Sequence, residues 1–136
     1  LIRTFLILAL LAPTAAQAQD ATPINSYTVT YPAMAHRLGV SARCAMTFDV
    51  NAEGTTENIC GVCNTDAPAR GEIAQTIANL FVNESVTTIR TWEYAKGSPR
   101  KSVETTLNYQ LADEEGSVSG EIDEPAPPVC NAGEIS

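Results

Sequence analysis

Basic residues are scarce in this chain, and histidine is almost missing. Eight Lys and Arg stand against sixteen Asp and Glu, with a single His, for a formal net charge of −8. No basic patch forms along the sequence, which argues against nucleic acid and against anionic lipid surfaces as partners. A cationic or neutral peptide remains open. His36 has no second histidine to support Ser-His-Asp or Cys-His machinery, and it reads as a surface position on a short helix. Asp49 and Glu53 flank a turn, and Asp113, Glu114 and Glu115 begin an acidic tail; all five are expected to be solvated charge. Trp92 and Tyr109 read as core. With no constellation suited to catalysis, the chain is expected to be a non-enzyme that needs no cofactor and no metal. No internal repeat is visible.

Long apolar runs are also lacking. The longest, from Phe5 to Leu11, falls far short of the roughly 20 residues that a membrane-spanning helix needs. It follows Arg3 and precedes Pro13 and the triplet Ala16-Gln17-Ala18, the pattern of a secretory leader with an A-x-A cleavage site. Residues 1–18 are therefore expected to be a signal peptide, and its loss with Arg3 would leave a net charge of −9. No stable membrane anchor is expected. The sequence begins at Leu1 rather than Met, and the alternative is an inner-membrane anchor if the true start lies upstream. Residues 19–26 form a short polar lead-in, and 112–136 are acidic and Pro-containing, with few large apolar groups. That composition predicts disorder, except where Cys130 ties the tail down.

What the chain does carry is four cysteines, Cys44, Cys60, Cys63 and Cys130, which in an exported protein suggest disulfides. Cys44, Met46, Phe48 and Val50 alternate with Ala45, Thr47 and Asp49, the period of a strand with one buried face. Residues 51–56 supply turn chemistry, and 57–63 read as the return strand. This register sets Val50 against Glu57, Phe48 against Ile59, Met46 against Gly61 and Cys44 against Cys63. Opposed residues share a face with Cβ atoms about 4.5–5.5 Å apart, within reach of a disulfide. Cys60-Gly61-Val62-Cys63 also matches the C-x-x-C of thiol redox proteins, but such pairs usually sit at a helix N-terminus. On a strand, Cys60 and Cys63 would be roughly 10 Å apart and point to opposite faces. A four-cysteine zinc site would need two such knuckles. The plainest reading is two structural bridges, Cys44–Cys63 across the hairpin and Cys60–Cys130 pinning the tail over the outer face. Four cysteines allow three full pairings, and the partner of Cys60 stays open.

Elsewhere, Pro32 and Gly39 bracket a short helix over 32–38 that would turn Ala35 and Leu38 inward. Ile73, Ile77 and Leu80 form one apolar set at helical spacing, and Phe81, Val82, Val86, Ile89 and Trp92 form another. At roughly 100° per residue the two sets face different ways. A break near Asn79 is therefore expected, with the main helix over 80–91. Val103, Thr105, Leu107, Tyr109 and Leu111 then alternate with polar residues, predicting a third strand over 102–111.

Together these stretches resemble the C-terminal domain of TonB, the energy transducer of Gram-negative outer-membrane uptake. The likeness spans residues 27–111 and rests on Tyr31-Pro32-Ala33-x-Ala35, Val40, Phe48-x-Val50-x-x-x-Gly54, Asn58-Ile59, Phe81, Trp92-x-Tyr94 and the closing alternation to Leu111. The resemblance implies an α+β fold, β-β-α-β, with one main helix across a three-stranded antiparallel sheet. Two features depart from TonB proper. Neither an anchor nor a Pro-rich spacer is expected before the domain, and the cysteines and acidic tail are additional; cysteines at the Cys44 and Cys63 positions resemble a subgroup of secreted TonB-like domains. The resemblance also implies a periplasmic module that takes an extended peptide beside its last strand, as TonB takes the N-terminal segment of outer-membrane receptors. The contact edge would be Lys101, Ser102, Val103, Glu104, Thr105, Thr106, Leu107, Asn108, Tyr109 and Gln110. The alternatives are a structural or assembly role through strand pairing or a homodimer, and thiol-disulfide chemistry at Cys60 and Cys63.

Overall fold

The structure, a computed structural model, describes residues 22–25, 29–112 and 120–130. The leader expected over 1–18 lies outside the described residues. Five elements follow one another: α1 (Ala33–Leu38), β1 (Ala42–Val50), β2 (Thr56–Thr65), α2 (Gly71–Arg90) and β3 (Arg100–Tyr109). The sheet is antiparallel in the order β2-β1-β3, so the chain leaves one edge strand, crosses one face as α2 and returns as the other edge. The fold is α+β, a three-stranded sheet with one main helix packed across it.

Periodicity explains the core. Cys44, Met46, Phe48 and Val50 of β1 meet Ile59 and Cys63 of β2 and Val103, Leu107 and Tyr109 of β3, all buried on the helix side. Phe81, Ser85, Thr88 and Ile89 supply the buried stripe of α2, at the i, i+4, i+7, i+8 spacing of one helical face. Trp92 packs edge-on against Phe48, ring centroids 5.8 Å apart. Gly61 lies opposite Met46, where a Cβ would come 2.0 Å from the Met46 sulfur; the thioether fills the space a side chain would need.

Four expectations are corrected. First, α2 runs unbroken through Asn79. The two apolar sets do face different ways, but the helix satisfies only one of them: Ile73 stays 67% exposed, while Ile77 is only partly buried. The Gln75 side-chain amide donates 3.1 Å to Asn79 Oδ1 at the i,i+4 spacing of the helix leading into the expected break. Second, Leu38 is 56% exposed, while Ala35 is fully buried as expected. Gly39, at φ 68°, closes α1, and Gly39 N–H and Val40 N–H bond back to His36 and Ala35, leaving Leu38 with Met34 on the open side. Third, β3 starts and ends two residues earlier than expected.

Fourth, the hairpin register slips. Cys44↔Cys63 and Met46↔Gly61 hold, but Val50 pairs with Thr56 rather than Glu57. Asn58, at φ 53°, is the extra residue of a β-bulge between Thr47 and Asp49. Bulges absorb one residue on one strand and increase the local twist, and asparagine tolerates the left-handed conformation better than most residues.

Candidate functional site

The two sheet edges differ in what surrounds them. Helix α2 packs chiefly on β2 and β1, and an open groove of about 420 Å³ runs between the β2 edge and α2, lined by Asn58, Cys60, Val82, Val86, Arg90 and Cys130 among others. Among the described residues, the backbone of β3 pairs with β1 alone. Val103, Leu107 and Tyr109 anchor β3 in the core, Thr105 is half-buried, and Glu104 and Asn108 are exposed. The Tyr109 hydroxyl shares a buried 2.9 Å hydrogen bond with Ser85 Oγ. Burial, only partly offset by that bond, holds the phenol above its ordinary pKa, so it stays neutral in the core.

The first two of the ten edge positions are engaged elsewhere. Opposite Asp49, β3 carries a second bulge, with Ser102 at φ 53°. The Ser102 N–H donates 2.9 Å to Asp49 Oδ1, the Asn58 side-chain amide donates 3.1 Å to Oδ2, and Lys101 Nζ lies 3.4 Å from Oδ2. One carboxylate on the central strand thus holds both bulges, one on each edge strand. Gln110 lies just past the end of β3. The regular edge that remains is 103–109.

Asp49 is therefore buried and bound, at 8% exposure, and not the solvated charge that the sequence suggested. Strand alternation correctly puts it on the outer face, but nothing in the period reveals bulges on both neighbours. Burial raises its pKa; the Ser102 N–H, the Asn58 amide and Lys101 together outweigh that and hold it below the ordinary 3.8. A carboxyl whose folded value is lowered stabilises the fold above its unfolded value and loses that contribution as pH falls through the folded one. Asp49→Asn should therefore cost about 1–3 kcal/mol near neutral pH, the range for hydrogen bonds to a charged group or a buried donor left unmet. Urea unfolding checks this: the gap between wild type and variant should be full near pH 6 and narrow as the pH falls below the ordinary 3.8.

Both expected bridges are formed. Cys44–Cys63 lies inside the sheet–helix core, and Cys60–Cys130 joins the middle of β2 to the tail. Cys60 and Cys63 do not pair with each other; they face opposite sides of β2 and each has its own partner. The tail departs from expectation over 120–130. It lies on the outer face as a strap, with Glu124 beside Arg43 and the Thr106 hydroxyl, and Asn64 donating 2.9 Å to the Asp123 carbonyl. The acidic triplet 113–115 lies outside the described residues. Composition signalled disorder here, and only Cys130 hinted otherwise.

No family model matches this chain, and no curated protein matches it. Among the described residues, no helix is long and apolar enough to cross a membrane.

Proposed function

We propose that this chain is a TonB C-terminal-like binding module of the Gram-negative periplasm, non-catalytic, which takes an extended peptide as a fourth strand along β3. The single observation that carries the reading is the regular run 103–109 of an edge strand, paired on one side only among the described residues. An open edge is a template for a further strand, which natural proteins blunt or use. Added strands gain main-chain hydrogen bonds, and alternate side chains give specificity. β2 is the poorer candidate, because α2 and the Cys60–Cys130 bridge crowd it. The two disulfides suit an oxidising compartment, and the element order agrees with the resemblance to TonB. The partner we propose is the N-terminal segment of a TonB-dependent outer-membrane receptor, which would link the module to outer-membrane transport.

Calorimetric titration with a synthetic peptide of such a segment tests this against the same peptide carrying a central proline. Proline has no N–H to give to a ladder, and losing one or two main-chain bonds should weaken binding roughly tenfold or more. Equal affinity for the two peptides, or no binding of either, would overturn the reading.

A further inference from the structure

Beyond the half-exposed Arg43, the central strand has no wet face. In a two-layer domain the residues of β1 that point away from the helix should meet water, yet Ala45 is 1% exposed and Thr47 5%. The strap 120–130 crosses above them. At one end Arg43 lies 3.7 Å from Glu121 and 3.4 Å from Glu124, and Glu124 also meets the Thr106 hydroxyl beside Ala45. At the other end the Cys130 sulfur, bonded to Cys60, lies 3.4 Å from the Thr47 carbonyl oxygen. Every residue of the strap is exposed or half-exposed. Surface ion pairs and hydrogen bonds of this kind contribute little, whereas ordering each residue costs conformational entropy. The one strong tie is covalent.

We propose that Cys60–Cys130 is a redox latch. A dithiol opens it selectively, the strap leaves, and the outer face of the sheet is uncovered while Cys44–Cys63 keeps the domain folded. The two bridges differ in access: Cys44 is fully buried and Cys63 is 7% exposed, whereas Cys60 and Cys130 are half-exposed and both line the open groove beside α2. An attacking thiolate needs such a path to the sulfur. The first thiolate of the dithiol bonds to one cysteine sulfur and displaces the other as a thiolate, which takes up a proton. The second thiol of the dithiol then closes its own disulfide and releases the remaining cysteine. The protein gains two electrons and two protons, and the dithiol is oxidised. The covered face is built for a cover that can leave: the Thr47 hydroxyl is buried there without a hydrogen-bond partner among the described residues. The latch does not rest on the reading of β3 as a peptide edge.

The oxidised full chain, treated with graded dithiothreitol and quenched by alkylation, tests this by peptide mass mapping. Cys60 and Cys130 should be alkylated roughly tenfold faster than Cys44 and Cys63, as access governs exchange. At that stage a Glu-specific protease should cut after Glu121 roughly tenfold faster, following the opened population. The methyl NMR signals of Ala45 and Thr47 should shift, and those of Ile89 should stay. Cys60→Ser/Cys130→Ser should show the open state without reductant. Reduction of both bridges in step would overturn the latch, as would unchanged cleavage and unchanged Ala45 and Thr47 signals once Cys60–Cys130 is reduced.

Discussion

Phe81→Ala is expected to cost about 3–5 kcal/mol, the range for deleting a fully buried aromatic ring. Phe81 is 0% exposed and is where α2 docks on the sheet. Its ring stands 5.7 Å from Tyr31 edge-on and 5.1 Å from Tyr109. Those neighbours cannot close the gap: the Tyr31 hydroxyl is held by the Val40 carbonyl and the Tyr109 hydroxyl by Ser85. Against a total of about 5–15 kcal/mol for an ordinary domain, this is a large share of the stability. Urea unfolding measures it, with Ile73→Ala as the control. Ile73 sits on the same helix but is 67% exposed, so its truncation should stay within about 0.5 kcal/mol. A small loss at Phe81, or an equal loss at Ile73, would mean that α2 docks on the other apolar set.

Gly54→Ala is expected to cost about 2–5 kcal/mol by adding two penalties at one position. Gly54 sits at φ 83°, where an L-residue costs about 1–2 kcal/mol. An added Cβ would also lie 2.1 Å from the Tyr94 carbonyl oxygen, and overpacking of that kind adds about 1–3 kcal/mol. The clash is with backbone that cannot swing aside, because Tyr94 N–H bonds 2.8 Å to the Gly54 carbonyl and Glu93 bridges to Thr55. This contact ties the hairpin turn to the segment leaving α2. Gly97→Ala separates the two penalties: Gly97 has the same φ of 83° but open space around it, so it should show the backbone strain alone. Thermal or urea unfolding of the two variants checks the difference. Equal losses would place the whole effect in the backbone conformation.

The hairpin and its disulfide were legible because two signals converged. The two-residue period from Cys44 to Val50 fixed which side chains share a face, and the cysteines chose the register within it. Pro32 and Gly39 marked both ends of α1 for the same kind of local reason. What stayed hidden depends on long-range partners. The apolar spacing in α2 correctly showed two faces, but not that Ile73 would be left in water in preference to a break. Asp49 sits where alternation expects a polar residue, so its grip on Asn58 and Ser102, distant in sequence, had no local signature. The bulge at Asn58 was invisible for a related reason: it shifts pairing by one only beyond Thr47, after the cysteines have already agreed. The strap was obscured by its composition, since nothing in residues 120–129 predicts order without the bond at Cys130.

The most direct test of the proposed function is backbone amide mapping by NMR, as the receptor-segment peptide is added to the oxidised ¹⁵N-labelled chain. Saturable shifts concentrated in Val103, Glu104, Thr105, Thr106, Leu107, Asn108 and Tyr109, with those of Cys60 and Val62 unmoved, are the expected result. Shifts centred on β2 or on the groove beside α2, or none at all, would contradict a peptide strand on β3.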